Sequence, residues 1–509
     1  MRRNILLIII DQFRADLITG ALSAAIDLPN LRAFRRESVA FDNHFTVTTP
    51  CGPSRASLLT GQYAMNHRSV RNGTPLAAHH ATIATEARKA GYEPLLFGYT
   101  DTAADPDFLH PNDPELRSYE GLAPGFAEIL RMRFEETGSW QADLKAKGYH
   151  LPASHFALFA PVADGGGRPA ISDPALYRAE DSDTAFLADQ TIKELAVREG
   201  KGWFATTTFI RPHPPFVAPA PYNTAYRPAA MPMPRRRASV AETRAVHPFY
   251  DAYFAAPSNH GLYIGFDGRL DVLPDADMAE LRAVYFGLAA EVDAHIGRMV
   301  AYLKSSGQWD NTTVIITADH GEMLGDHFMW GKNAPHDGAL KIPLMIRDPD
   351  HAGSAGHVVT EMTESIDTAA TLLDLIDIPA PAAMNGQTLR PFLSGRAPDR
   401  WRDCIFAEID LADPARDTIF QRHLGLPLRA ANYAILREAR LKYVHFNGGL
   451  PPLLFDLETD PGEARNLADD PAYQADLHRL AVKMLDHRMS FAHSAQSRRA
   501  ITGAGVVEA

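Results

Sequence analysis

The sequence has only two cysteines, Cys51 and Cys404, among 509 residues. Two thiols cannot build a disulfide framework, which excludes a small stapled scaffold. A mostly reduced, cytoplasmic protein is the expectation, with a single bridge between the pair left open. Long hydrophobic runs are missing too. No stretch of about 18 apolar residues occurs, so no membrane span is expected. The start, Met1-Arg2-Arg3-Asn4 followed by Ile5 to Ile10, is charged and then apolar. That run stops at Asp11 without a small-residue cleavage site, so it reads as a buried strand rather than a leader. Positive charge is also in short supply: 50 Lys and Arg stand against 62 Asp and Glu, a net charge of −12. Nucleic-acid binding relies on a positive surface and is not expected. A small anionic substrate remains compatible, because a bound cation with a few Arg or Lys reverses the potential locally. No internal repeat of solenoid length is visible.

What is present is apolar material for one large core and a smaller one, at 46% hydrophobic residues. Four aliphatic or β-branched runs stand out: Ile5 to Ile10, Glu93 to Phe97, Trp203 to Phe209 and Thr313 to Thr317. Helical spacing separates them. Ala188, Ile192, Leu195 and Ala196 form one stripe, with Ser182 or Asp183 as its cap. Leu281, Tyr285, Leu288, Val292, Ile296, Met299 and Leu303 form a longer one, closed by Gly307. Strands alternating with helices predict an α/β fold, a large mainly parallel sheet flanked by helices. Residues 1–377 read as this catalytic part, with 101–181 a Pro-, Gly- and Asp-rich insertion or lid. Residues 378–509 read as a smaller C-terminal α+β domain. It carries β-like runs at Cys404 to Ile409 and Leu441 to Phe446, a helix from Pro471 to Arg488, and a polar tail after Met489 that is frayed or an oligomer arm.

Two strand ends carry chemistry. Asp11 follows the first run directly, with Gln12 next, and Asp319-His320 follows the Thr313 to Thr317 run after one alanine. Ligands bind at the carboxyl ends of parallel strands. Two carboxylates, an imidazole and an amide oxygen at one edge suit a divalent cation. Each Asp alone would as readily cap the next helix; the pair with His320 favours the cation. A third cluster runs from Thr48 to Gly61. Pro53 suits a first helical turn and Gly61 a helix end, which sets Cys51 just before a helix N-terminus, with Arg55 one turn on. From placement alone, Cys51 is a nucleophile precursor or a small buried hydrophobe.

The run Cys51-Gly-Pro-Ser-Arg-Ala-Ser-Leu-Leu-Thr-Gly61 resembles the sulfatase signature C-x-P-S-R-x-x-L-x-T-G. The segments from Gly386 to Gly395 and from Phe455 to Ala468 are also similar to sulfatases, within the alkaline phosphatase superfamily. Asp11 to Asp16, Met65 to Val70, Arg211 to Val217, Asp319 to His327 and Leu450 to Leu457 resemble the phosphonate monoester hydrolase branch. The resemblance implies that Cys51 is oxidised to formylglycine, with Pro53 and Arg55 part of the recognition sequence of a formylglycine-generating enzyme. It implies metal ligation by Asp11, Gln12, Asp319, His320 and an oxygen of converted Cys51. It also implies that Asn72, Tyr99, His213 and Lys332 surround the charged head group. Two departures stand out. The G-K-W-H-like motif of ordinary sulfatases is replaced by Gly98-Tyr99-Thr100-Asp101. Asp101 also stands where the phosphonate hydrolases have a second threonine.

The function implied is metal-dependent hydrolysis of phosphonate monoesters, phosphodiesters and sulfate esters. A dedicated arylsulfatase is the alternative, and a phospho-group transferase or mutase a more distant one. Arg55, Lys332 and the metal would neutralise the shielding oxygens of the ester, and His213 would donate to the leaving oxygen. Mixed Asp, Gln and His ligands favour Mn²⁺ over Ca²⁺ or Zn²⁺. Close relatives of this type imply a homodimer or homotetramer.

Overall fold

The computed structural model describes residues 2–163, 169–258, 261–492, 499–503 and 505–508. Parts of the expected lid and of the expected tail therefore lie outside the described residues.

The strand Asn4–Ile10 is a run of six consecutive aliphatic side chains after Asn4, and all are buried. Such a run is stable only with cover on both faces, and both covers are present. Leu6, Ile8 and Ile10 face one core with Leu281, Val284, Leu288 and Val292 of the helix Asp275–Ser305. Ile5, Leu7 and Ile9 face a second core with Leu58, Leu59, Ile83, Leu372 and Leu373. Each buried aliphatic side chain stabilises by about 1.5–3 kcal/mol relative to exposure.

This strand lies inside an eight-stranded sheet. The order is Ala127–Arg131, Pro94–Gly98, Phe204–Phe209, Asn4–Ile10, Thr312–Ala318, Leu344–Arg347, Val39–Phe41, Val358–Val359. Both pairings of Leu344–Arg347 are antiparallel and the other five are parallel. The mainly parallel α/β sheet expected from the sequence is the one observed. The four predicted runs are all strands of it. The stretch 101–181 was read without a strand, yet it supplies the edge strand Ala127–Arg131.

The predicted helices form with their signals intact. Ser182 caps Asp183–Val197 by accepting from Ala185 N–H. The helix Cys51–Thr60 ends at Gly61, whose φ of 66° is the left-handed conformation glycine adopts without cost. Cys51 is the first residue of this helix rather than the residue before it, because Pro50 takes the extended capping conformation.

A C-terminal sheet is antiparallel in the order Cys404–Asp410, Asn432–Glu438, Leu441–Phe446, Leu453–Asp456. It is tied to the large sheet's side of the molecule: Phe406 N–H donates to Glu364 Oε1 at 2.8 Å and Glu408 N–H to Val47 O at 3.0 Å. The helix Gln474–Phe491 covers it through Leu480 and Met484. Beyond it, Arg499–Thr502 and Gly505–Glu508 pair as a hairpin. Among the described residues, no helix is long and apolar enough to cross a membrane. Cys51 and Cys404 are both free and buried.

Candidate functional site

Sheet register builds the site. Ile10 pairs with Ala318 in parallel register, so the next residues, Asp11 and Asp319, leave the sheet side by side. On the other flank Ile10 pairs with Phe209, and Phe97 pairs with Thr207. Arg211, His213 and Tyr99 therefore emerge at the same carboxyl edge, where parallel sheets bind ligands. The helix Cys51–Thr60 presents its first residue to this point.

The donor atoms converge. Asp11, Cys51, Asp319 and His320 each offer one ligand atom, and these lie within 4.8 Å of one another. Cys51 Sγ is 3.2 Å from His320 Nε2 and 3.8 Å from Asp11 Oδ1. His320 Nε2 is 3.7 Å from Asp319 Oδ1. The imidazole is oriented for ligation: Nδ1–H donates to Gly321 O at 3.0 Å, which leaves the Nε2 lone pair facing the cluster. Gly321 makes that turn possible, since a Cβ there would meet Gly338 O at 2.1 Å. Two carboxylates, an imidazole and the atom at position 51 fit a divalent cation of intermediate softness. Gln12 has a backbone φ of 63°. Its Oε1 accepts from Lys332 Nζ at 2.7 Å, and its Nε2 donates to Glu322.

Arg55 sits elsewhere than an open substrate clamp would. It is fully buried. Nε donates to Asp319 Oδ2, Nη2 to Asp11 Oδ2 and Nη1 to Tyr99 O, each at 3.0 Å. It therefore clips the two strand-end carboxylates together. Tyr99 is engaged in the same network. Its hydroxyl donates to Asp11, and its ring lies 4.0 Å beneath the Arg55 guanidinium. Burial would raise the Asp11 carboxyl, but Arg55, Lys332, His320 and Tyr99 together hold it below the usual range. Burial and the Asp11 charge push the Cys51 thiol well up, so an unconverted thiol here is neutral and a poor nucleophile.

The remaining expected residues border this centre. Asn72 Oδ1 accepts from Gly52 N–H at 2.9 Å, next to Cys51. Lys332 is nearly buried; burial lowers its basicity, yet its neighbours, the Asp11 and Asp319 carboxylates among them, raise it. His213 donates Nδ1–H to Pro214 O at 2.6 Å, so Nε2 of the neutral ring is an acceptor. Burial, with Lys332, lowers its basicity well below that of free histidine. Donation to a leaving oxygen needs a second proton on this ring. Its neighbour is Phe134, ring centroids 6.0 Å apart.

One residue with consequences here was not read as such from the sequence. Glu322 is fully buried and takes Leu324 N–H and Gly331 N–H on Oε1. It sits three residues past Asp319 in a quoted motif, but only the folded loop shows what it holds. Asp101, which the sequence marks as a departure from the phosphonate hydrolases, is buried with a φ of 50° and faces Arg55.

A family model for sulfatases matches residues 3–378, and one for the C-terminal region of N-sulphoglucosamine sulphohydrolase matches residues 325–490. The chain is 37% identical over 498 residues to the multifunctional alkaline phosphatase superfamily protein PehA of Trinickia caryophylli, covering 96% of each. The structure of a phosphonate monoester hydrolase from Silicibacter pomeroyi superposes with a TM-score of 0.96 at 50% identity, covering 100% of this chain and 99% of that one. The phosphonate monoester hydrolase of Agrobacterium radiobacter gives a TM-score of 0.95 at 40% identity, with both chains fully covered.

Proposed function

The chain belongs to the sulfatase family of the alkaline phosphatase superfamily, and from that premise we propose how this hydrolase of sulfate and phosphonate esters works. Its substrates are phosphonate monoesters, phosphodiesters and sulfate esters, cleaved through formylglycine made from Cys51. The observation that carries this reading is the convergence of Asp11, Cys51, Asp319 and His320 within 4.8 Å.

Asp11, Asp319, His320, Gln12 and converted position 51 would hold one divalent cation, with Mn²⁺ the best match to mixed oxygen and nitrogen donors. Bound there, the ion supplies positive charge to the ester oxygens and acidifies a coordinated hydroxyl. Hydrated formylglycine offers two hydroxyls on one carbon, one to attack and one whose deprotonation expels the bound acid by C–O cleavage.

The chain's own groups prepare this chemistry. Lys332 faces the ester oxygens and balances their charge. Asn72, held by Gly52 N–H, keeps its amide group for an ester oxygen. Arg55 fixes the spacing of Asp11 and Asp319. The Nε2 of His213 is a proton acceptor in the resting site. It serves as a donor once an anionic ester beside it favours the imidazolium. A small anionic ester is the partner, with a formylglycine-generating enzyme acting in maturation.

The test has two parts. Mass analysis of the peptide containing Cys51, from the native host, is expected to show aldehyde in place of thiol. An unmodified peptide overturns the nucleophile. Comparison of kcat/KM for aryl sulfate and aryl phosphonate is expected to favour the phosphonate; a large preference for sulfate identifies a dedicated arylsulfatase instead.

A further inference from the structure

The carboxylate of Asp101 has no part in the chemistry above, yet it is built into the same centre. Its residue directly follows the Tyr99-Thr100 segment, and its carbonyl oxygen stands 2.9 Å from where a Cβ on Gly52 would lie. It therefore abuts the residue after Cys51. Its Oδ2 lies 3.9 Å from Arg55 Nε. Its Oδ1 is buried and has no hydrogen-bond partner. Arg55 cannot close on it, because its nitrogens are already directed to Asp319, Asp11 and Tyr99 O. A buried acceptor with only a half-shared counter-charge is costly, so this carboxylate calls for an explanation.

The centre is already rich in carboxyl groups. Asp11, Asp101 and Asp319 gather around Arg55. Glu322 holds the Gln12 amide, whose oxygen takes the Lys332 ammonium. Of the three around Arg55, Asp101 is the one that Arg55 does not hydrogen-bond. A monoanionic ester brings one negative charge towards this unpaired carboxylate and a dianionic ester brings two. In a desolvated site like charges repel strongly.

We propose that Asp101 is a specificity-determining residue whose buried carboxylate, set beside Cys51 and Arg55, admits monoanionic esters and disfavours dianionic phosphate monoesters. The inference rests on the hydrolase reading above. Burial and the neighbouring carboxylates push this carboxyl up to about 7, so the test is run at about pH 8.5, where it is charged.

Phenyl sulfate and phenyl phenylphosphonate serve as monoanions and phenyl phosphate as the dianion, with the Mn²⁺-loaded full-length protein and its Asp101→Asn and Asp101→Thr variants. Both variants are expected to raise kcat/KM for phenyl phosphate relative to phenyl sulfate by roughly tenfold or more. In a Cys51→Ala background, calorimetric Kd values for the same three compounds are expected to shift the same way. Equal changes for all three esters in both variants mean that Asp101 only shapes the loop, and overturn the proposal. Wild-type protein that cleaves none of the three overturns the hydrolase reading instead. The binding comparison then decides the charge selection by itself.

Discussion

Three hydrogen bonds converge on the carboxylate of Glu322: from Leu324 N–H, from Gly331 N–H and from the Gln12 amide. One side chain thus sets the orientation of Gln12 and anchors the residue before Lys332. Glu322→Gln keeps the shape but places an amide N–H₂ against a donor. We expect kcat/KM to fall about 10- to 100-fold with the fold retained by circular dichroism. Unchanged kinetics would remove Glu322 from the site. Glu291 is a second buried carboxyl, pushed up to about 8 by burial and by Asp183. Its folded value lies above the unfolded value of about 4.3, so the native state keeps a proton that the unfolded chain releases. Stability is present below about 4.3 and lost as pH rises towards 8, by up to about 1.4 kcal/mol per pH unit. Glu291→Gln escapes this loss. Its urea midpoint is expected to match wild type near pH 4.5, to exceed it increasingly up to about pH 8 and to keep a constant margin above that. At this scale the sequence discloses residue type and strand-end position, which is why Asp11, Asp319 and His320 were legible. It does not disclose which partner a side chain takes. Arg55 was read as facing substrate, yet it spans two carboxylates.

Helix Pro29–Arg36 lacks a side-chain cap of its own, its N-cap position being Leu28. Asp293 of the long helix does the work from a distance, accepting from Leu31 N–H at 2.6 Å and Asn30 N–H at 3.1 Å. Asp293→Ala is expected to cost about 1–2 kcal/mol, read as a lower denaturation midpoint. An unaltered midpoint would mean that water replaces the carboxylate. This cap was invisible in sequence because donor and acceptor lie far apart along the chain. Local signals were legible where they were strong: the continuous aliphatic run of Asn4–Ile10, the stripe of Asp275–Ser305, the serine cap of Asp183–Val197. Ala127–Arg131 was missed because an edge strand that is half-exposed carries charged residues and no run. Asn432–Glu438 was missed for a related reason. Its apolar core of Tyr433 to Leu436 is short, and only pairing with two neighbours identifies it.

On the proposed cation site, the arrangement of the whole chain would make stability depend on an ion. Buried carboxylates that repel one another are relieved by a cation that binds only the folded state. Exhaustive chelation is expected to lower Tm by a few degrees, and Mn²⁺ at about a hundred times its Kd to restore about 2.7 kcal/mol. Ca²⁺ restoring more than Mn²⁺ would count against Mn²⁺ as the proposed ion. Fold class was legible at this scale from alternating strands and helices, and the smaller C-terminal α+β part from its own β-like runs and helix. The reversed direction of Leu344–Arg347 was not, because four residues give no sign of the way they run.

The register that sets Asp11 beside Asp319 also governs how the chain comes into being. The strand Asn4–Ile10 lies between Phe204–Phe209 and Thr312–Ala318, both made much later. During synthesis its backbone has no strand partner until some 200 residues more have emerged, and one edge stays bare until about 300 have, a wait on the order of tens of seconds. A nascent chain of this kind carries a sticky, β-prone strand that needs shelter before its second edge is covered. Yield in a foreign host is then governed by holdase capacity as much as by the stability of the finished protein.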